Sequence, residues 1–448
     1  MHERLINIFS APVPRYTSYP SAPHFHAGIT AETYREWLEA LTPETSLSLY
    51  IHVPFCDKLC WFCACHTKQT RSYAPVHRYV DALLQEIATV GSLVGDAPVS
   101  ALHFGGGSPT MLCGRDLMRI GDAVRSAFRM RPDAEISVEI DPNDMDEDRF
   151  DALAELGLTR ASLGVQDFDP VVQHAINREQ SLELTRRVVE GVRARGVRSV
   201  NIDLLYGLPN QTVASVKATA RSVLSLSPDR IALYGYAHVP WFKRHQVMID
   251  EAALPDARAR LAQFTAAAER IVADGYCQIG LDHFAKPTDD MAVAAKAGTL
   301  RRNFQGYTVD EADAVIGLGA SSIGRLPQGY VQNQPATANY ERSVTNGGLA
   351  VVRGVRLSEE DRVRAFVIER LMCDFSLSRH ELIERFGEDA EAVLRDADSV
   401  AASDRHGVFL REGDSYRIPA SARPFVRTIA SRFDAYLDKG AGRHSSGV

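Results

Sequence analysis

The sequence has no excess of positive charge, no apolar run of membrane length and few cysteines. Its formal net charge is −7, and without a basic excess no nucleic-acid partner is expected. The longest weakly polar stretch, Ala314 to Ile323, is half a membrane span, so no span is expected either. The opening run, Met1-His-Glu-Arg-Leu-Ile-Asn-Ile-Phe9, is too short and too charged for the apolar core of a secretory signal, and a cytoplasmic protein is expected. Internal repeats and low-complexity tracts are lacking. What remains, 448 residues of which 45% are apolar and 24% charged, suits one large catalytic domain with a smaller one beside it.

There are seven cysteines, and four of them fall within ten residues: Cys56, Cys60, Cys63 and Cys65. Three thiolates spaced C-x3-C-x2-C on a loop can wrap one corner of a cubane, binding three irons of a [4Fe–4S] cluster and leaving the fourth open. An electron-transfer cluster is closed by four cysteines. An open iron can instead chelate the amino and carboxylate groups of S-adenosylmethionine, and this spacing is the radical-SAM signature. Zinc is the competing metal, with His52 and His66 flanking the loop, but it favours paired C-x2-C knuckles or added histidines. A disulfide is the other alternative, against which crowded thiols without a secretory signal argue. Cys113, Cys277 and Cys373 are isolated and read as buried reduced thiols packing as small hydrophobes.

Along the chain, Pro14-Arg-Tyr-Thr-Ser-Tyr-Pro20 brackets two tyrosines with prolines and predicts an extended strap. From about residue 46 short apolar strands alternate with amphipathic helices. Strands are predicted at 46–53, 99–104, 136–140, 161–165, 200–205 and 231–236, with helices at 79–94, 116–128, 149–156 and 181–195. Repeated βα units imply a parallel sheet, and six strands fit a partial (β/α)6 barrel, although pattern alone leaves a full barrel or a doubly wound sheet open.

In a barrel, chemistry gathers at the C-terminal ends of strands. The cysteine loop follows the first predicted strand and Gly105-Gly106-Gly107-Ser108 the second, where backbone can approach a ligand closely. Glu139 closes the third strand, placed to accept from a ribose or an ammonium. Gln166 ends the fourth, and Arg178, expected on the following helix, reads either as a carboxylate clamp or as a surface ion pair. Asp203 sits inside an apolar strand, which requires a partner or a ligand. His238 and His283 lack metal-ligand spacing, and the glycine-rich run 317–324 lacks the Lys-Ser/Thr of a phosphate loop. From residue 356 the pattern turns helical, with Ser358 as a helix cap and a short hairpin near 408–418, like a small winged-helix module. The basic run Lys243-Arg244-His245 is a candidate for binding substrate carboxylates.

Leu49-Tyr-Ile-His-Val-Pro-Phe-Cys56, the cysteines that follow it and the Pro14–Pro20 strap together resemble the oxygen-independent coproporphyrinogen III oxidases, and the resemblance covers nearly the whole chain. It implies an α/β fold: a strap (1–44), a radical-SAM partial (β/α)6 TIM-like barrel (45–355) and a helical, winged-helix-like lid (356–448). It implies Cys56, Cys60 and Cys63 as cluster ligands, with Cys65 near but not ligating. Two S-adenosylmethionine sites follow: one at Tyr50, Gly106, Glu139 and Ile323, the other at Phe62, Gly107, Ser108, Gln166, Arg178, Asp203 and Ala237. Tyr50, Glu139 and Asp203 are the residues implied closest to the chemistry. Ser108 stands where the family often has Thr, and Trp61 and Phe104 replace other aromatics.

The implied reaction is oxidative decarboxylation of two propionates of coproporphyrinogen III to vinyl groups through a 5′-deoxyadenosyl radical, served by an unidentified electron donor and acceptor in a monomer. Related scaffolds offer alternatives: a haem-trafficking protein, which typically lacks the fourth cysteine and the strap, or a radical-SAM methyltransferase or haem-opening enzyme. A zinc-dependent winged-helix regulator is a more distant alternative that six βα units oppose.

Overall fold

In the computed structural model, which describes residues 2–9, 11–345 and 347–437, every residue of the strand Leu47–Val53 (β1) is buried. That is the environment of a parallel strand covered on both faces. Five more parallel strands follow in chain order: β2 (Pro98–Gly106), β3 (Arg129–Ile140), β4 (Arg160–Gln166), β5 (Ser199–Tyr206) and β6 (Arg230–Gly235). These are the six strands of the partial (β/α)6 barrel expected from the pattern.

The sheet extends further than that pattern suggested. Beyond β6 lie two short antiparallel strands, Cys277–Ile279 (β7) and His283–Ala285 (β8). On the other side of β1 a seventh parallel strand, Ala314–Leu318 (β9), is followed by antiparallel Ile323–Leu326 (β10), Gly329–Asn333 (β11) and Val351–Arg356 (β12). The order is β12-β11-β10-β9-β1-β2-β3-β4-β5-β6-β8-β7, an open sheet of twelve strands. The apolar run 314–318 and the glycine-rich segment after it are thus a strand and its return, not a phosphate loop.

Helices cover the barrel where their caps and apolar faces direct. Ala74–Val94 (α3), Gly114–Ala127 (α4) and Glu147–Leu156 (α5) pack in succession over β1 to β3. Leu182–Ala194 (α6), Val213–Leu224 (α7) and Ala257–Ala273 (α8) cover the later strands. Side chains of Asp146, Ser181 and Thr212 accept hydrogen bonds from the first-turn amides of α5, α6 and α7. Among the described residues no helix is long and apolar enough to cross a membrane.

Two short helices in the first forty residues escape the sequence reading: His2–Phe9 (α1) and Ala31–Glu39 (α2). Pro14–Pro20, between them, holds no helix, in keeping with the expected strap, and is followed by the single 3-10 turn Ala22–His24. The strap connects two cores. Leu5, Ile6, Phe9, Tyr16 and Tyr19 pack with the C-terminal residues Val363, Phe425 and Phe433, whereas Tyr34, Trp37 and Leu38 join the barrel core. The C-terminal unit begins with three helices, Glu359–Asp374 (α9), Arg379–Phe386 (α10) and Ala390–Ser403 (α11), continues with the hairpin Leu410–Glu412 and Ser415–Arg417, whose second strand also pairs with Ser376–Ser378, and ends in the short helix Val426–Ala430 (α12). Ser358 caps α9 in a reciprocal pair with Asp361. Residues 438–448 of the expected lid lie outside the described residues.

One buried carboxylate fastens the added strands to the barrel. Glu86 of α3 accepts from the Gly319 amide at 2.6 Å, the Tyr340 hydroxyl at 2.7 Å and the Asn333 side chain at 2.6 Å. Burial raises its pKa to about 7, while those donors pull the other way. A carboxyl with a raised folded pKa stabilises most below its unfolded pKa and loses that contribution as pH rises. Stability should therefore fall by about 3 kcal/mol as pH climbs from 4.5 to about 7 through this group. Glu86→Gln should flatten that slope in urea titrations across the same window.

Candidate active site

The loop after β1 has little regular structure, so its backbone groups must find partners elsewhere. They find them from three directions. Gln246 donates to Phe62 O at 2.8 Å, Lys243 to Cys65 O at 2.9 Å, and His245 Nε2 lies 2.7 Å from Cys63 O, which only an Nε2–H can satisfy. Asn177 donates to Leu59 O at 2.9 Å and the Trp61 amide to Ile176 O at 3.0 Å. His52 Nε2 meets His66 O at 2.8 Å. Lys243 and His245, expected as candidates for substrate carboxylates, are instead committed to the loop backbone, because a loop this irregular leaves its carbonyls open.

Each of the three thiols assigned to a cluster has one hydrogen-bonding neighbour. Cys56 Sγ lies 3.1 Å from Thr67 Oγ1, Cys60 Sγ accepts from Arg178 at 3.5 Å and Cys63 Sγ accepts from the Cys65 amide at 3.3 Å. A hydrogen bond from the Cys65 thiol lowers the pKa of Cys63 to about 7, with Lys243 and Arg178 acting the same way against burial. Donors on sulfur favour thiolates, the form that binds metal, but at Cys56 and Cys60 burial outweighs them and raises the thiol pKa. Of the remaining cysteines only Cys373 is buried. Cys113 is half-buried beside the Tyr73 hydroxyl, and Cys277 is exposed because β7 is the outermost strand of its sheet edge.

The glycine run lies directly against this loop. A Cβ on Gly107 would fall 2.6 Å from Phe55 O, and Gly106 adopts φ +120° with its Cβ position 2.9 Å from Val53 N. Only glycine fits there. The Gly106 amide donates to Glu139 at 3.1 Å, and His103 stands 3.4 Å from the same carboxylate, which remains half-exposed. Tyr50 stacks on His103 and touches the edge of Phe304, its hydroxyl 3.0 Å from His52 Nδ1. It pairs in register with Gly317 of β9, whose Cβ position would fall 2.8 Å from the Ile323 carbonyl. Tyr50, Gly106, Glu139 and Ile323 are thereby brought together on β1, β2, β3 and β10, with β9 between β10 and β1.

The other predicted residues divide. Phe62, Gln166, Asp203 and Ala237 line one cavity of about 540 Å³, together with Cys63 and Cys65. A β-bulge between Gly164 and Gln166 re-aims the Gln166 side chain at its left-handed φ of +70°. Asp203 accepts from Asn201 at 2.7 Å and Ser162 at 3.4 Å, and burial raises its pKa to about 6. Ser108 and Arg178 do not line this cavity. The Ser108 hydroxyl is bonded to Asp144 and Thr110, and Arg178 bridges Asp141 at 2.9 Å, Gly164 O at 2.6 Å and Cys60. Arg178 is thus a carboxylate clamp, but on the protein's own Asp141.

Four arginines that the sequence reading passed over, Arg15, Arg260, Arg302 and Arg427, also line the cavity. No spacing links them, since they come from the strap, α8, the segment after β8 and the C-terminal unit. His238 bonds Tyr236 and Glu251, and His283 bonds Asp282 and Tyr234, the satisfied roles expected for both. Among the described residues no three His, Cys, Asp or Glu side chains gather on the point a single metal ion would occupy.

The comparisons with known proteins agree with this geometry. Residues 50–223 match the model of the Radical SAM superfamily. The chain is 50% identical to the oxygen-independent coproporphyrinogen III oxidase of Paracoccus denitrificans, over 100% of its own length and 98% of the relative's. It is 39% identical to the protein of that name from Salmonella typhimurium, over 97% and 95% of the two chains. The solved structure of coproporphyrinogen III oxidase (HemN) from Escherichia coli, described as a radical SAM enzyme, superposes with a TM-score of 0.90 at 38% identity, covering 94% of this chain and 98% of that one. With its cysteine loop, glycine run and strap all carried on a fold matched from end to end, this chain belongs to the oxygen-independent coproporphyrinogen III oxidase family of radical SAM enzymes.

Proposed function

We propose that the protein converts two propionates of coproporphyrinogen III to vinyl groups without oxygen, giving protoporphyrinogen IX in haem biosynthesis. The observation that carries this reading is the opening of the cysteine loop, through Cys63 and Cys65, onto the cavity that Gln166 and Asp203 line. A radical made at that loop would face a substrate in that cavity.

The residues fit the cofactors of the family, a [4Fe–4S] cluster and S-adenosylmethionine. Cys56, Cys60 and Cys63 would hold the cluster, each sulfur already supplied with a neighbour that favours its anionic form. Reduced S-adenosylmethionine supplies a carbon-centred radical able to take a hydrogen atom from carbon. Gly106 and Glu139 would receive its methionyl end: the glycine lets backbone approach, and the half-exposed carboxylate accepts from an ammonium or a ribose. Burial holds the Tyr50 phenol protonated at neutral pH, so its hydroxyl remains a donor beside His52. Phe62, Gln166, Asp203 and Ala237, with the backbone at Gly107, would form a second S-adenosylmethionine site. Ser108 and Arg178 would support that site from behind, through Asp144 and Asp141.

At each reacting propionate one hydrogen atom leaves the β-carbon, the bond to the carboxylate breaks, CO2 departs and one electron passes to an external acceptor. The chain's part is to hold the two carbons in reach and keep water and oxygen out. The cavity is lined by segments of a single chain, in keeping with a monomer as the working unit. Free thiols poised for a cluster support a reducing, cytoplasmic setting.

The direct test is an anaerobic assay of the reconstituted protein with coproporphyrinogen III, S-adenosylmethionine and a strong reductant. Protoporphyrinogen and matching 5′-deoxyadenosine are expected, both lost on Cys56→Ala; 5′-deoxyadenosine with untouched substrate would mean that the substrate is another. Iron analysis should show Cys56→Ser, Cys60→Ser and Cys63→Ser losing the cluster while Cys65→Ser retains it. Gln246→Ala should loosen the loop by about 1–3 kcal/mol of local opening, seen as faster amide exchange over residues 60–66 and lower iron per chain.

A further inference from the structure

Among the described residues ten large apolar side chains lie exposed, and four of them, Trp241, Phe242, Val247 and Met248, fall within eight consecutive positions. Each of the four is 50–71% exposed. Single exposed apolar residues are ordinary on a folded surface, whereas a cluster marks a place where something docks. The surroundings are basic. Within residues 56–72 and 241–251 the five cations Lys58, Lys68, Arg71, Lys243 and Arg244 face three carboxylates, and one of these, Glu251, is engaged by His238 at 3.0 Å. The chain as a whole carries a net charge of −7.

Holding the cysteine loop accounts for the inner side of residues 241–248 and for nothing else there. Gln246 is buried and donates to Phe62 O, and Ile249 just beyond packs in the cluster that Trp61 and Phe62 join. Lys243 and His245 are spent on Cys65 O and Cys63 O. That task requires neither four apolar side chains facing water nor Arg244, which is exposed and has no hydrogen bond or ion pair among the described residues. Electrons cross protein only over short distances, so a donor to a cluster on this loop must come close to it. Substrate would fill the cavity on one side of the loop, and no residue of 238–251 lines that cavity. The segment thus meets the loop from outside the cavity, with hydrogen bonds running straight to the backbone of Cys63 and Cys65.

Encounters between electron carriers and their targets use small interfaces, and aromatic residues, Met and Arg are the types enriched at interface cores. A basic rim steers an acidic partner onto such a patch. A membrane surface would call for a longer amphipathic helix, and the regular part of this segment is the five-residue turn Arg244–Met248. We propose that the outer face of residues 241–248 docks an acidic one-electron carrier protein, which reduces the cluster through the cysteine loop. The inference rests on the proposed function, which needs a reduced cluster, and adds the class of donor and its docking face. In each encounter the carrier is oxidised by one electron and the cluster passes from its oxidised to its reduced level, with no bond made or broken and no proton moved.

The test uses the full-length reconstituted protein with reduced flavodoxin, an acidic flavin protein, as probe, and dithionite as a reductant too small to need a docking face. Trp241→Ser and Arg244→Glu are the variants, because the bonds to the loop come from Lys243, His245 and Gln246. Thermal melts and iron content check that fold and cluster survive. Calorimetry should show flavodoxin binding that weakens about tenfold or more in each variant, weakens with added salt and is largely restored in Arg244→Lys. At subsaturating flavodoxin, cluster reduction and 5′-deoxyadenosine formation should slow by a similar factor, while dithionite drives both variants at the wild-type rate. Variants that bind flavodoxin and take its electrons as the wild type does, or a wild type that flavodoxin does not reduce, would overturn the docking face and leave the proposed reaction standing. Loss in the variants of binding to anionic phospholipid vesicles, or of a dimer of the chain, with flavodoxin transfer unchanged, would do the same. A wild type reduced through this face that forms 5′-deoxyadenosine but no protoporphyrinogen would overturn the proposed reaction alone.

Discussion

An irregular loop that must present three thiols in fixed places cannot hold itself, because it lacks the internal hydrogen bonds of a helix or strand. The rest of the site depends on how its carbonyls are satisfied. Gln246, His245 and Lys243 reach it from the segment after β6, Asn177 from the turn before α6, and His52 from β1. Gln246 is buried, and its own oxygen accepts from the Val239 amide at 2.6 Å, so the clamping segment is itself locked. Loop and clamp order each other, and neither has this geometry without the other.

The same logic joins the strap to the C-terminal unit. Tyr16 bonds Asp434 at 3.0 Å, Tyr19 receives the Ala435 amide at 3.0 Å, and Thr428 bonds Phe9 O at 2.7 Å. Apolar packing of Leu5, Ile6 and Phe9 in that core adds an undirected attraction to these directed bonds. Arg427 and Arg302 hold the strap from the cavity side. The strap is therefore part of the cavity wall, and the C-terminal unit acts on the site both through it and directly through Arg427.

Burial decides the charge states within the site. It raises Asp203 and Asp144 to about 6 and holds His52 neutral, its pKa lowered to about 4. A neutral His52 can accept from Tyr50 on Nδ1 while donating from Nε2 to the His66 carbonyl, which links the strand to the cysteine loop in one tautomer. Asp282 moves the other way: its hydrogen bond to His283, with Arg302 and Arg15 nearby, overcomes burial and lowers its pKa.

The sequence by itself determined the six βα units, the cysteine loop at the end of the first, the glycine run at the end of the second, and the family. These are legible because periodicity, thiol spacing and backbone freedom are local properties of a chain. It also marked Asp203, since a charge in an apolar strand is anomalous without any knowledge of neighbours. It could not show that Lys243 and His245 serve the loop, that Ser108 and Arg178 turn away from the cavity, or that Ala314–Leu318 pairs with β1. Nor could it gather Arg15, Arg260, Arg302 and Arg427. Those facts were decided only by tertiary structure, because they depend on which distant segments meet and on the direction each side chain takes once its nearest polar partners are satisfied.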